Sequence, residues 1–595
     1  MHFVDIKKLK ELLLTVEKPS RYLGGEFNTP DMTKKARAKF CFCFPDVYEI
    51  GMSNLGLQIL YDIINSQPDF IAERCYAPWT DLGEKLKQYG IPLFSLETKT
   101  ALCDFDVVGF SLQFELLYTN ILYMLELAEI PFRASERGDE YPLIIAGGPC
   151  AVNPEPFKDF FDLIVIGEGE EVDLEILKLK AKAKEEGWSK LELLEKCSKL
   201  KGVYCPLLHK EGETVKKAIV EDFENSPYPT SLLVPNINII HDRAVMELYR
   251  GCASGCRFCQ AGFYYRPIRE RSAKRIAALA EKIIDSTGYE ELSLCSLSTG
   301  DYSYLKELIG YLKKMSDAKH VDLSLPSLRL NSFEGDIVQN SRRSSLTFAP
   351  EAGTQRLRDV INKNITDADI DNIEMAFDAG YTSVKLYFMM GLPTETYDDL
   401  DGIANICLRL KELFRKKERG RSLTLSVSCS VFVPKPCTPF QWSEQISVEE
   451  MLLRQRYLKD KLKRIKGVKF SWHGAETSCL EGAFARGDGS LCSVIESAYL
   501  KGCRFDSWSE HFKWDKWTEA FAENGVAVDK FAKAIDLDAP LPWDFIDTGV
   551  PKDYFKKEYL KAVEQKTTCN CREKCNGCGA CAQACHEGAI AMIGG

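Results

Sequence analysis

Residues 251–260 read GCASGCRFCQ and place Cys252, Cys256 and Cys259 with three and then two residues between them. The run AVMELYR at 244–250, directly before this loop, predicts a strand. Three cysteines on one short loop can ligate three irons of a four-iron cluster and leave the fourth iron open to a small molecule. A structural zinc site would need a fourth ligand nearby, and 251–272 holds no other Cys or His. The loop therefore predicts an open 4Fe-4S site, with a structural cluster or metal clip as the alternative.

The region around this loop, 236–475, alternates apolar runs with amphipathic stretches. Such alternation predicts a parallel sheet whose right-handed crossovers close a partial TIM-type (β/α)6 barrel. Because active sites of such barrels lie at the carboxyl ends of the strands, a loop after the first strand is correctly placed for chemistry. The predicted strands are 244–250, 291–298, 321–327, 344–350, 383–391 and 423–432.

The three-cysteine loop, with Phe258 before its last cysteine, resembles the cluster loop of radical S-adenosylmethionine (radical SAM) enzymes. The resemblance implies that SAM chelates the fourth iron through its amino and carboxylate groups. Reductive cleavage of SAM would then give a 5′-deoxyadenosyl radical that abstracts hydrogen from a substrate. Cys252, Cys256 and Cys259 become the catalytic cluster ligands.

The same resemblance assigns the SAM contacts to residues that follow the second to fifth predicted strands. A glycine lets the backbone approach a ligand, hydroxyl and carboxylate groups suit an ammonium and a ribose, and a guanidinium suits a carboxylate. Turn chemistry or helix capping is the alternative for each residue taken alone. The candidates, together with Phe258, are Ser298, Thr299, Gly300, Asp301, Ser324, Ser327, Arg329, Glu351 and Gly391.

The first 205 residues predict a second α/β unit, a Rossmann-like doubly wound sheet with glycine and acidic loops after its strands. The loops IIAGGP and IGEGEE resemble the cobalamin-binding-type domain that precedes many radical SAM barrels. Residues 40–510 as a whole resemble an uncharacterised subfamily of such fused proteins. The Asp-x-His-x-x-Gly motif is missing, and His2 is the only histidine before His209, so a histidine-ligated cobalt is excluded unless His2 or a distant residue swings in. Cobalamin without a lower protein ligand and a scaffold without corrinoid both remain open.

The tail supplies a second metal signal. Cys575, Cys578, Cys581 and Cys585 have the two, two, three spacing of a bacterial ferredoxin motif, which predicts a second 4Fe-4S cluster. With one such motif, the fourth ligand is Cys585 or an upstream cysteine, Cys569 or Cys571. Zinc is the alternative. An electron relay toward the first cluster and an auxiliary site near substrate are both open roles.

The predicted organisation is α/β multidomain. It comprises a cobalamin-binding-like domain at 1–205, a linker at 206–235, the barrel at 236–475, a helical extension at 476–565 and an iron–sulfur tail at 566–595. With 595 residues, the chain is too long for one core. A net charge of −10 gives no global basic field for nucleic acid, although a local basic groove is not excluded.

The 23 cysteines cluster at metal-ligand spacing in a large chain that begins with a charged amphipathic helix, so we expect a cytoplasmic protein without a membrane span. The expected function is a radical SAM enzyme with an unknown substrate, supplied with electrons by a reductant such as flavodoxin or ferredoxin. Cobalamin-dependent methyl transfer, cobalamin-independent modification of RNA or protein, and a non-enzymatic iron–sulfur electron carrier are the alternatives.

Overall fold

The computed structural model describes residues 4–324, 346–416 and 422–583. The α-helices of the N-terminal part are Ile6–Leu13, Tyr48–Gly51, Leu55–Asn65, Thr80–Tyr89, Tyr118–Leu127, Val172–Glu186 and Lys190–Cys197. Those of the middle are Gln260–Tyr264, Ala273–Thr287, Leu305–Lys319, Gln355–Val360, Asp367–Asp371, Ile373–Asp378, Tyr397–Arg415 and Val448–Lys463. The C-terminal helices are Ala475–Arg486, Leu491–Leu500, Trp514–Glu523 and Lys552–Val563.

The strands of the N-terminal part are β1 (Ala38–Phe44), β2 (Phe70–Tyr76), β3 (Val107–Ser111), β4 (Leu143–Gly147), β5 (Leu163–Val165), β6 (Val203–Tyr204) and β7 (Val215–Lys216). The middle contains β8 (Ala244–Glu247), β9 (Tyr249–Arg250), β10 (Arg269–Glu270), β11 (Glu291–Cys295), β12 (Asp322–Ser324), β13 (Leu346–Glu351), β14 (Ser383–Met390), β15 (Thr424–Val431) and β16 (Val468–Trp472). The last strand is β17 (Ile546–Asp547).

The N-terminal sheet has the order β2-β1-β3-β4-β5-β6, with β1 to β5 parallel and β6 antiparallel. The order 2-1-3-4-5 is one of the common doubly wound arrangements, in which ligands bind outside the carboxyl ends of the strands. Apolar side chains line both faces: Phe40, Phe42 and Phe44 of β1 belong to one hydrophobic core, and Cys41 and Cys43 of the same strand belong to another. The predicted mixed α/β architecture with parallel sheets is therefore confirmed.

The middle of the chain forms two parallel sheets, β12-β11-β8 and β13-β14-β15-β16. Each of the six predicted runs contains a strand, and β16 is a seventh that the sequence did not predict. β16 lies at the edge of its sheet and keeps most of its side chains partly or fully exposed, so it lacks the apolar signature of the others. Residues 325–345 lie outside the described residues, and closure of the two sheets into one barrel stays a prediction.

The C-terminal helices pack back onto the N-terminal domain. Trp517 and Phe484 share a core with Phe157 and Tyr118. Strand β17 pairs in parallel with β7, which ties the predicted linker region to the end of the chain. Within 4–324, 346–416 and 422–583, no helix is both long and apolar enough to cross a bilayer.

Candidate active site

The cysteine loop leaves β9 and ends at the helix Gln260–Tyr264, beside the carboxyl end of β8. Gly251 opens the loop with φ of 92°. A Cβ there would lie 2.9 Å from the Pro267 carbonyl oxygen and 3.0 Å from Ile268 Cα. Only glycine combines this backbone conformation with so close an approach, so it sets the direction in which the loop leaves the sheet.

Arg257, between the second and third cysteines, anchors the loop through its buried side chain. Its guanidinium is fully buried, pairs with Glu558 Oε2 at 3.1 Å, and donates to the Val360 and Lys566 carbonyl oxygens at 2.9 and 2.7 Å. Every one of these partners is distant in sequence. The anchor therefore ties the loop to the C-terminal helix Lys552–Val563 as well as to the barrel segment.

The tail begins against the same loop. The Cys571 amide donates to the Ala253 carbonyl oxygen at 3.0 Å. The Asn362 side chain donates to the Gly255 carbonyl oxygen at 3.0 Å and accepts from the Thr568 amide at 2.7 Å. The sequence did not predict these contacts, because they join two cysteine-rich segments that are separated by the whole barrel region.

Arg266 lies between the loop and the tail. Its Nη2 donates to the Ser254 carbonyl oxygen at 3.2 Å. Burial disfavours its charge, but the neighbouring Cys578 and Cys571 outweigh burial and raise its pKa. Burial also raises the pKa of Cys571, Arg266 opposes this, and Cys578 and Cys575 add to it. The three tail sulfurs therefore lie in one neighbourhood around a buried cation.

The predicted tail ligands differ in their exposure. Cys578 is buried, whereas Cys575 and Cys581 are exposed. Cys585 lies outside the described residues. Cys571, which the sequence offered only as an alternative ligand, contacts the cysteine loop through its backbone amide.

The predicted SAM segment after β11 stands beside the cysteine loop. Residues Thr299–Asp301 form a short 3-10 turn that includes Gly300, and the Tyr249 hydroxyl donates to the Ser298 carbonyl oxygen. Burial raises the pKa of Tyr249, and Asp301 and Cys252 raise it further, so both groups lie near one phenol. Ser298 Oγ is buried without a hydrogen-bond partner in the described part of the chain.

Glu351 ends β13 and reaches the loop through Lys363. Its backbone has φ of 67°, which strains a residue with a side chain, and its carboxylate accepts from Lys363 Nζ at 3.1 Å. Lys363 is near enough to Cys259 to favour its thiolate. Phe258 packs against the cluster that contains Ala352. Glu351 therefore meets the loop from the second sheet, and Phe258 of the loop packs toward the end of the same strand.

The remaining SAM candidates divide into two groups. Ser324 is the last residue of β12, and Ser327 and Arg329 lie outside the described residues. Gly391 follows β14 with φ of 79° and lines a separate cavity of about 360 Å³ beside Glu395 and Arg454. Their ligand roles stay predictions.

A cavity of about 430 Å³ lies between the N-terminal sheet and the cysteine loop. Its lining includes the strand-end residues Gly147 and Gly167 from one side and Gly251, Ser296 and Leu297 from the other. This is the edge at which doubly wound sheets bind ligands. The cavity therefore joins the carboxyl ends of strands from both α/β units.

An ion-pair network closes one side of this cavity. Arg250, directly before the loop, contacts Glu170 at 2.6 Å and Glu247 at 2.9 Å, and Arg269 contacts Glu168 at 2.7 Å. Sequence reasoning marked the GEGE loop only as part of a resemblance. Its two glutamates pair with arginines that flank the cysteine loop. The repeated acidic residues are visible in the sequence, but their arginine partners are not.

Two family models match the chain: one for the N-terminal region of radical SAM proteins at residues 56–206, and one for the radical SAM superfamily at residues 246–407. The chain belongs to the radical SAM superfamily. A 26% identical relative, an uncharacterised protein of Methanocaldococcus jannaschii, aligns over 81% of this chain and 96% of its own.

Solved structures show more distant likeness. The radical SAM methyltransferase TsrM from Kitasatospora setae, solved with tryptophan and a SAM analogue, is 12% identical with a TM-score of 0.44, over 66% of this chain and 72% of its own. Streptococcus suis SuiB bound to S-adenosylmethionine is 12% identical with a TM-score of 0.29, over 40% and 52%.

The loop of this radical SAM protein offers a donor set that fits an iron–sulfur cluster. Burial raises the pKa of Cys259 to about 12, and Cys256 and Cys252 contribute because their negative forms would repel its thiolate. Three soft sulfur donors close enough to repel one another suit a cationic cluster. Among the residues described, no three Cys, His, Asp or Glu side chains already stand in a metal-binding arrangement.

The pKa of Asp173 predicts that the stability of the protein depends on pH. Burial first, and then Glu170, raise its pKa to about 8, and Glu168, Glu247 and Arg250 line the same cavity. The folded protein keeps this proton when the unfolded chain has lost it, so wild-type stability falls as pH rises from about 4 to 8, by up to about 1.4 kcal/mol per pH unit. Asp173→Asn removes this pH-dependent contribution to stability. The melting temperature of the variant, measured relative to that of wild type, should therefore rise progressively between pH 5 and pH 8.

The control is Glu175→Gln, which removes an exposed carboxylate from the first turn of the same helix. Its melting temperature should follow that of wild type across this pH range. A difference between Asp173→Asn and wild type that is independent of pH would show that Asp173 is ionised in both states.

Proposed function

We propose that this chain is an enzyme that cleaves SAM reductively at a 4Fe-4S cluster held by Cys252, Cys256 and Cys259, and that it modifies a substrate bound in the interdomain cavity. The observation that carries the proposal is the position of the cysteine loop. It borders a cavity of about 430 Å³, within the 300–1,000 Å³ range of small-molecule sites, at the carboxyl ends of two sets of strands.

The cluster, when bound with SAM and reduced, supplies a 5′-deoxyadenosyl radical for hydrogen abstraction. The chain's own residues position the reactants. Arg257 fixes the loop backbone, and the buried Ser298 hydroxyl offers an unused hydrogen-bonding group beside Asp301 for the SAM amino group. Glu351 and Lys363 hold opposite charges near Cys259, suited to the polar end of SAM.

We propose that the tail holds the second 4Fe-4S cluster, and that Cys571 joins Cys575 and Cys578 as a ligand. Support comes from the shared neighbourhood of these sulfurs around Arg266 and from the hydrogen bond between Cys571 and Ala253. That contact gives electrons a short path from a reductant such as flavodoxin or ferredoxin, through the tail, to the loop. A cytoplasmic location stays the expectation.

Replacing Cys575 and Cys578 together by alanine should lower the iron content from about eight to about four per chain, because one of two four-iron clusters is lost. Formation of 5′-deoxyadenosine should continue with dithionite and become much slower with reduced flavodoxin. Cys569→Ala is the matched control and should keep about eight irons. An unchanged iron content in the double variant would contradict the tail cluster.

Among the described residues that line the cavity, none is a histidine that could serve as a lower ligand for cobalt. Cobalamin without a lower protein ligand stays the alternative for this domain. Hydrogen abstraction from a substrate needs only the loop cluster and SAM.

Anaerobically reconstituted protein, reduced with dithionite and given SAM with and without cobalamin, tests the proposal. Iron, retained corrinoid and 5′-deoxyadenosine are measured together. Formation of 5′-deoxyadenosine supports the enzyme. Two redox-active clusters without SAM cleavage would instead identify an iron–sulfur electron carrier. Tight corrinoid retention together with cleavage would direct the search toward methylated products.

A further inference from the structure

The interdomain cavity has an apolar floor and an acidic wall. The floor is contributed by the N-terminal sheet and its first long helix, through Phe40, Phe42, Ile59, Leu60, Ile145 and Val165. The wall carries Glu168, Glu170, Asp173 and Glu247, and Arg250 is the one basic residue in the lining. A molecule that fills this space therefore meets apolar surface on one side and carboxyl groups on the other.

Three of the four carboxylates already have basic partners. Glu168 pairs with Arg269, and Glu170 and Glu247 both pair with Arg250. These pairs lie between the two α/β units. Arg271 also contacts Glu247 at 3.4 Å, so three arginines offset the charges of the three glutamates without a ligand.

Asp173 differs from the other three. Its side chain lines the cavity, the residue is only 6% exposed, and its carboxyl group makes no hydrogen bond or ion pair within the described parts of the chain. A buried polar group without a partner costs folding free energy. Asp173 lies at the wall of a cavity beside the cysteine loop. We therefore expect a bound ligand to supply the partner of its carboxyl group.

The charge of the surroundings selects the kind of partner. Burial of Asp173, and then the negative charge of the neighbouring Glu170, raise the pKa of its carboxyl group, so this group stays neutral until a cation approaches. Asp173 also lies in the first turn of the helix Val172–Glu186, where the helix dipole favours an anion. A protonated amine is therefore stabilised here, and a carboxylate or phosphate is repelled.

We propose that this cavity takes an apolar molecule that carries a protonated amine, with the amine paired to Asp173. The inference rests on the proposed function, because it names the substrate class of the same site. The ligand's apolar body lies on the floor formed by Phe40 and Ile145, and its far end reaches Gly251 and Leu297 beside the cysteine loop.

Three probes of one shape test this on the full-length reconstituted protein: 4-phenylbutylamine, 4-phenylbutanol and 4-phenylbutyrate, titrated calorimetrically at pH 7 in two buffers of different ionisation enthalpy. The amine should bind about tenfold or more tightly than the alcohol, since a charge-assisted hydrogen bond adds more than about 1.4 kcal/mol. Binding should release up to about one proton as Asp173 ionises. The carboxylate should bind most weakly.

Asp173→Asn should lower the affinity for the amine to that for the alcohol and abolish proton release, whereas Glu175→Gln should behave as wild type. Equal binding of amine and alcohol, amine binding that survives Asp173→Asn, or no binding of any probe would each overturn the inference. Formation of 5′-deoxyadenosine is measured in the same preparations without probe. Cleavage without amine preference leaves the proposed function standing, and amine preference without cleavage removes only the proposed function.

Discussion

Replacing Cys252, Cys256 and Cys259 together by alanine is expected to abolish the formation of 5′-deoxyadenosine, with about four irons per chain remaining in the tail. The loss is complete because the alanine side chain cannot donate to iron, and no other Cys or His lies within 251–272 to take its place. The measurement is 5′-deoxyadenosine by chromatography, with iron determined on the same sample.

Cys103→Ala is the control, since Cys103 is partly buried in the N-terminal domain, far along the chain from both cysteine motifs. It should keep about eight irons and wild-type cleavage. Cleavage that survives in the triple variant would show that the loop is not the catalytic site. Loss of all iron would show that the tail cluster depends on the loop.

Arg257→Met is expected to loosen the cysteine loop and the C-terminal helix together. The buried pair with Glu558 loses its cation, and breaking such a pair costs about 3–5 kcal/mol. Backbone amides in 552–571 and around 255–260 should therefore exchange hydrogen at least about a hundredfold faster. Hydrogen exchange followed by mass spectrometry suits a multidomain chain, in which global unfolding is not two-state.

Lys561→Met is the matched control because Lys561 contacts the same carboxylate at 2.8 Å from an exposed position. An exposed pair contributes less than about 1 kcal/mol, so exchange in these segments should change less than about tenfold. Equal effects of the two substitutions would show that the Arg257 pair is not the anchor of the loop.

Local patterns predicted the secondary structure well where burial imposed them. The apolar runs before the cysteine loop and around β14 predicted strands, and in both strands alternate side chains are buried. The edge strand β16, in which no residue is buried, escaped prediction because it lacks such a pattern. The cysteine spacing indicated the chemistry directly, since ligands of one cluster must come from one short loop.

The candidate SAM residues were predicted with mixed results. Ser298, Asp301 and Glu351 stand near the cysteine loop, because the carboxyl ends of β11 and β13, which belong to two different sheets, both lie beside it. Gly391 lines a different cavity, although it also follows a strand. Strand order, which no local pattern encodes, decides which ends meet.

By itself, the sequence determined the superfamily, the three loop cysteines and the alternation of strands and helices, because each depends on residues within one turn, loop or strand. Only the tertiary structure decided what surrounds them. Arg257 meets Glu558 across 301 residues, the tail bonds to Ala253, and Asp173 is enclosed without a basic partner. Such contacts follow from how separate elements pack. The sequence does not show whether the partner of a carboxylate or an arginine is water or a buried ion.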